Sequence, residues 1–353
     1  MEDVIGIIAH ELITKKVSPS LIVTVQQHRK EIFKQAYGNL YYSGMPICPA
    51  YVKTSTYDIA SITEVFTSTA ILLLVEKEII NLEDKVSDYI SKELVPFGDK
   101  ITIKDLLTHT TGIQAHMSKL ATNIDFKDNA LRYIGQNQLK WLPGTNAEYT
   151  NVNMFLLGRI LEIVKSKSLS QIITQLVLEP LNMKDTSFYS SELPHINNRR
   201  CNCAPTEVVD GLDICGVVHD ESTRALGGVA GHAGLFSTAR DLQKFAQFWL
   251  DQFKCRGGYT FRNTANIAKI NYTRSCKIHS GLGWMLNRPW MGKFMLDAIG
   301  HSAFTGPYLL INYEHDLAIV ILMNRTYPKR TDRTHVLRNI YARHIINSIH
   351  GSL

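Results

Sequence analysis

Segments that pattern as strands stand at both ends of this chain, with a long helix-patterned stretch between them. That arrangement restricts the fold more than any other feature. Near the start, 21–26 and 31–35 have the composition of strands and are joined by a polar turn at 28–30. Near the end, 283–287, 308–313 and 317–324 read the same way, and 333–349 reads as a closing helix. Between them, 103–108, 127–137, 152–166, 169–178 and 239–253 space their apolar residues as helices do, with Pro and Gly punctuation. Strands need partners for their backbone groups, so one sheet has to draw on both ends of the chain, with the helical stretch inserted. The expected organisation is a single domain, 1–353, with a sheet lobe at about 1–60 and 256–353 and a helical lobe at about 61–255.

Composition removes several function classes. With 353 residues, 45% hydrophobic and 20% charged, the chain is expected to fold throughout. The formal charge of +6 is spread along the sequence; only 329–338 is locally basic, which reads as a solvated face, so no nucleic-acid partner is expected. The N-terminal segment opens on two acids and spaces Val4, Ile7, Ile8, Leu12 and Ile13 as a helix, unlike the basic start of a secretory signal. A cytoplasmic location is therefore expected. Apolar runs such as 71–75 and 317–323 fall short of the roughly 20 residues that span a bilayer, so no membrane partner is expected either.

Six cysteines, at 48, 201, 203, 215, 255 and 276, suit reduced thiols better than a disulfide framework. Cys201, Cys203 and Cys215 are candidate zinc ligands, but their spacing is not that of a knuckle and a fourth ligand is not evident. His219, Asp220 and Glu221 are consecutive, so their side chains diverge. No metal and no cofactor are expected, and nothing in the residues indicates an oligomeric state.

Chemistry concentrates in a few segments. Ser61-Ile62-Thr63-Glu64 opens an apolar helix pattern, and residues three apart share a helical face. One reading is a capping box, in which Ser61 accepts from the Glu64 backbone N–H and Glu64 reaches back to Ser61. The other is a reactive Ser61. Tyr149-Thr150-Asn151 follows Pro-Gly-Thr at a helix start, and His301-Ser302-Ala303-Phe304 precedes the strand at 308–313. His109 and His232 read as hydrogen-bonded interior residues, and the glycines of 227–234 as tight turns.

Taken in order, YDIASITEVFTSTAILLL, LLTHTTG, PGTNAEYTNVNMFLLGRILE with LNMKDTSF, VHDESTRALGGVAGHAGLFSTARDL and IGHSAFTGPYLLIN resemble one family nearly end to end. It comprises the serine β-lactamases of the class C type, the penicillin-binding carboxypeptidases and related esterases. The resemblance implies an α/β (α+β) fold of the β-lactamase/DD-peptidase kind, its antiparallel sheet built from both chain ends and flanked by helices, with an inserted helical lobe. It also implies that Ser61 is the nucleophile, that Tyr149 moves protons, that Asn151 and the Ser302–Phe304 strand position substrate, and that His301 stands in the third motif.

The sequence departs from that pattern in two places. Glu64 stands where the family's Ser-x-x-Lys has lysine, and a carboxylate opposes the negative charge that an ammonium favours; it also raises the Tyr149 pKa. A rewiring with His301 as base and Glu64 as its orienting acid is one way around this. Ala303 replaces glycine, and its methyl is expected to narrow the cleft. The phenylalanine N–H at 304 is implied as the second oxyanion donor. The leading expectation is a serine hydrolase or acyl-transferase acting on an ester, amide or D-amino-acid-type substrate, small molecule or peptide. The alternative is a catalytically impaired relative whose cleft binds a peptide, cell-wall fragment or partner.

Overall fold

The computed structural model describes residues 1–42, 48–117, 127–189, 202–256 and 261–353. The chain opens with α1 (Glu2–Thr14), β1 (Ser20–Gln27), β2 (Lys30–Gly38) and the two-residue β3 (Tyr57–Asp58). Then follow α2 (Thr63–Glu76), α3 (Ile103–Thr108), α4 (Lys127–Gly135), α5 (Asn151–Lys165) and α6 (Leu169–Ile173), with β4 (Ser187–Phe188) behind them. A small hairpin, β5 (Glu207–Val209) and β6 (Leu212–Ile214), leads to α7 (Glu221–Ala225), β7 (Leu235–Ser237), α8 (Ala239–Phe253) and α9 (Arg262–Ala268). The last part runs β8 (His279–Ser280), β9 (Met285–Leu286), β10 (Ala298–Ser302), β11 (Tyr308–Asn312), β12 (Leu317–Met323) and α10 (Asp332–His350).

The main sheet is antiparallel and has seven strands, in the order β2-β1-β12-β11-β10-β9-β8. Both ends of the chain supply it, and the seam is β1 against β12, with Val23 opposite Ile321. Strand β12 is buried along its whole length because both sheet faces are covered. Leu317, Ile319, Ile321 and Met323 join the core under α1 and α10, while Ala318, Val320 and Leu322 join the larger core beneath the other helices. On that second side Phe66 of α2 stacks on Phe245 of α8 at 4.1 Å, and Trp249 meets Trp284 edge-on at 5.1 Å. The helix that follows Ser61 is thereby fixed to the helix that packs on the sheet.

Two expected elements take a different form. The strand expected over 283–287 shrinks to β9, because Gly283 adopts the left-handed region (φ 78°) and turns the chain tightly past Ser68. The helix expected over 169–178 is α-helical only in α6 and continues as a π turn over Thr174–Leu178. Among the described residues no helix is long and apolar enough to cross a membrane.

Candidate active site

Ser61 sits in a single 3-10 turn, Ala60–Ile62, between β3 and α2. Short-range pinning explains why the turn holds. Ile59 N–H donates to Leu235 O of β7 (3.0 Å), and Leu235 N–H donates to Thr63 Oγ1 (3.2 Å). The buried Asp58 carboxylate accepts from the Ala60 and His219 N–H groups, each at 2.8 Å. Ala60 is held at φ 40°, a conformation unfavourable for a residue with a Cβ by roughly 1–2 kcal/mol. Burial lifts the Asp58 pKa to about 6, against the two backbone donors that lower it.

The capping box is not formed. Helix α2 begins at Thr63 with Ile62 as its N-cap and no side-chain cap, and the Glu64 carboxyl points elsewhere. Glu64 is fully buried, and its Oε1 accepts a hydrogen bond from the Tyr149 hydroxyl. Its Oε2 has no hydrogen-bond partner among the described residues but lies 3.5 Å from His301 Nε2 and 3.8 Å from His109 Nε2.

Tyr149 reaches this position because Thr150 caps α5, accepting from Val152 N–H at 3.3 Å and setting the chain direction one residue later. The phenol lines the same cavity as Ser61. Burial first, and the Glu64 charge second, hold the Tyr149 pKa well above its ordinary value, so the group is a neutral phenol.

The two histidines differ in how they meet Glu64. His109 Nδ1 faces the Thr150 N–H (3.4 Å) and the Asn153 amide nitrogen (3.2 Å), so it is the accepting nitrogen and Nε2–H is directed at Glu64. Burial lowers the His109 pKa to about 4, opposed by Glu64, which keeps this imidazole neutral. His301 comes from β10, where Ile299 and His301 share the face turned toward α2. Its Nδ1 lies 3.1 Å from the Ser302 carbonyl, so it carries the hydrogen there, and Nε2 is left to face Glu64. The contact that the structure provides for the Nε2 side of the His301 ring is Glu64.

Ser61, Tyr149, Asn151, Ser302 and Phe304 line one cavity of about 360 Å³. Glu64 and His301 lie buried and are not part of its lining. Ala303 has no exposure at all and belongs to the larger core, so its methyl does not narrow the cavity as expected. A second cavity, of about 510 Å³, shares Tyr149, Asn151 and Asp220 with the first, and the two form an extended cleft. A larger cavity, about 590 Å³, lies between the β1–β2 hairpin and α8 and holds none of these residues.

Residues not expected to take part in the chemistry complete the site. Asp220 caps α7 and lines both cavities; its Oδ1 lies 3.2 Å from Nε2 of the buried His232, which also meets Ser222 and Thr223. These contacts hold the Asp220 carboxyl well below its usual range against the effect of burial. The basic stretch 329–338, expected to be a solvated face, turns in part inward: Arg338 is 6% exposed and lines the first cavity. Of the cysteines considered as ligands, Cys201 lies outside the described residues, Cys203 is buried with its sulfur 3.7 Å from the Ala204 carbonyl, and Cys215 meets the Tyr41 hydroxyl at 3.0 Å.

The Beta-lactamase family profile matches residues 8–342. A Salmonella typhi protein named "Putative D-alanyl-D-alanine carboxypeptidase" is 28% identical over 348 residues, covering 88% of this chain and 79% of that protein. Among solved structures, a class C beta-lactamase mutant superposes with a TM-score of 0.78 at 19% identity, covering 98% of this chain and 97% of its own. EstCE1, described as a hydrolase with promiscuous acyltransferase activity, gives 0.75 at 17% identity over 97% and 98%. The octameric penicillin-binding protein homologue from Pyrococcus abyssi gives 0.76 at 21% identity over 98% and 77%. With the family profile covering nearly the whole chain and the same fold in these structures, this chain belongs to the beta-lactamase family of serine hydrolases.

Proposed function

We propose that this protein transfers acyl groups through Ser61, hydrolysing an ester or amide, with Tyr149 and Glu64 acting together as the proton relay. The observation that carries this reading is the place of Tyr149, which lines one cavity with Ser61 and donates to Glu64. A neutral phenol is a poor base by itself, but it can pass a proton on. As Ser61 Oγ bonds to the substrate carbonyl carbon, its proton moves to the Tyr149 oxygen while the Tyr149 proton moves to Glu64. The negative charge goes to the former carbonyl oxygen, and backbone N–H groups of Ser61 and Phe304 are its donors. On collapse the proton returns from Glu64 through Tyr149 to the leaving oxygen or nitrogen. Water then repeats the sequence on the acyl-enzyme.

In this scheme His109, whose Nε2–H is directed at Glu64, keeps the carboxylate competent while it is buried. A bare carboxylate in a closed interior is costly, and the His109 Nε2–H at 3.8 Å faces its otherwise unpartnered oxygen. The extended cleft and the relatives' names favour an acyl substrate with substance on both sides of the scissile bond, such as a D-aminoacyl peptide or an activated ester.

The test is turnover of p-nitrophenyl butyrate, a chromogenic cephalosporin and a D-alanyl-D-alanine peptide by the natural protein and by Ser61→Ala. Loss of turnover in the variant on at least one substrate supports the reading. Equal rates, or none in either protein, point instead to a cleft that only binds.

A further inference from the structure

Two arginines beside the cavity have left solvent without acquiring a counter-ion among the described residues: Arg338, which lines it, and Arg325, which lies against the Phe304 ring. Arg325 is 2% exposed and Arg338 6%, and no ion pair to either occurs among the described residues. Nη2 of Arg325 and Nε of Arg338 are buried without a partner there. A buried, unpaired charge is costly.

What both cations do hold is the backbone around Phe304. Arg338 Nη1 donates to the Ala303 carbonyl, which also accepts from Gly306 N–H at 3.2 Å. Arg325 Nε donates to the Phe304 carbonyl at 2.6 Å, its guanidinium lies 4.0 Å beneath the Phe304 ring, and its backbone N–H donates to Thr305 O at 2.8 Å. Three successive carbonyls, 303 to 305, are thus anchored. The Ala303 carbonyl and the Phe304 N–H belong to one trans peptide, so fixing the carbonyl fixes the direction of the N–H. Among the described residues no hydrogen bond engages the Phe304 N–H or the Ser61 N–H.

We infer that Arg338, seconded by Arg325, is a positioning residue for the oxyanion hole, orienting the 303–304 peptide and polarising the Phe304 N–H through its carbonyl. A cation at the carbonyl oxygen draws charge along the amide and strengthens the N–H as a donor. That gain matters most when the substrate oxygen becomes an anion, so it belongs to the transition state. The inference rests on the Ser61 chemistry proposed above.

Arg338→Met and Arg338→Lys are to be compared with the natural protein for p-nitrophenyl butyrate turnover and for inhibition by phenylboronic acid, whose serine adduct is a tetrahedral anion. The expected kcat loss in Arg338→Met is about 10- to 100-fold, smaller than the roughly 100- to 1,000-fold for deleting an oxyanion donor. KM is expected to hold, boronate affinity to fall in parallel with kcat, and lysine to restore part of both. Unchanged kcat in Arg338→Met, or a kcat loss without loss of boronate affinity, overturns the inference. If Arg338→Met does not fold, Arg338→Lys decides by the same parallel. A natural protein lacking Ser61-dependent turnover overturns the proposed function and this inference together, whereas normal turnover in Arg338→Met overturns the inference alone.

Discussion

Tyr149 donates its phenolic hydrogen to Glu64 and lines one cavity with Ser61. A carboxylate therefore occupies the place behind the tyrosine where the family resemblance puts a cation. The electrostatic consequence is specific. An ammonium favours a phenolate, whereas a carboxylate keeps the phenol protonated and supplies the proton acceptor itself. The charge is confined: Glu64 is closed off from the cleft, and His109 and His301 face its second oxygen.

If Tyr149 only passes the proton, then removing it and removing its acceptor cost the same thing. Tyr149→Phe is expected to lower kcat by about 100- to 10,000-fold, the range of general acid–base catalysis. The double variant Tyr149→Phe/Glu64→Gln is expected to be no slower than the worse single one, because residues acting as a unit are not additive. Steady-state rates of the four proteins check this; additive losses count against a shared relay.

His109 gives a pH dependence of known sign. Its folded pKa, about 4, lies below the ordinary value of 6.5, mainly through burial. As pH falls, the unfolded chain takes up this proton first. The stability linked to His109 is therefore complete above 6.5 and is lost as pH falls toward 4, on the order of 3 kcal/mol in all. Urea unfolding at about pH 7.5 and about pH 4.5 is expected to show a smaller acid loss in His109→Asn than in the natural protein. Asp58 titrates in the opposite sense in both proteins and drops out of the comparison.

The stacking of Phe66 on Phe245 ties the helix after Ser61 to the sheet-packed α8. Both rings are fully buried. Phe245→Ala is expected to destabilise by roughly 3–5 kcal/mol, the cost of an aromatic cavity. Denaturant titration measures it, and a loss under about 1 kcal/mol would show that the site collapses around the gap.

Gly283 offers a separate check on the backbone. Its φ of 78° disfavours any Cβ, and a methyl there would collide with Ser68 on α2. Gly283→Ala is expected to cost about 1–3 kcal/mol by thermal unfolding. Neutral behaviour would mean that the chain passes α2 differently.

How much the residues disclosed depended on element length and on whether chemistry was local. Strands β11 and β12 were legible because they are unbroken apolar runs, as expected of strands covered on both faces. Strand β10 was legible only through the motif resemblance, because Gly300, His301 and Ser302 interrupt its apolar pattern. Strands β3, β4 and β7, two or three residues long, carry no periodicity to detect. Ser61 and Tyr149 were visible through motif spacing, and the charge of Glu64 was visible as a departure from it. Its contacts were not, since Ser-x-x-Glu reads equally well as a helix cap. The inward turn of Arg338 had no local sign: in sequence it is one more basic residue near the start of a polar helix. Only α10 packing beside the 303–305 backbone gives it a role.

The most direct measurement is the rate at which a fluorophosphonate modifies Ser61, followed by intact mass and peptide mapping, in the natural protein and in Glu64→Gln. A glutamine keeps the size of the side chain and can still accept from Tyr149, but it cannot take the proton. The expected result is a single adduct on Ser61 in the natural protein, forming about 100-fold more slowly in the variant. An unmodified Ser61 in the natural protein, or equal rates in the two, contradicts the relay.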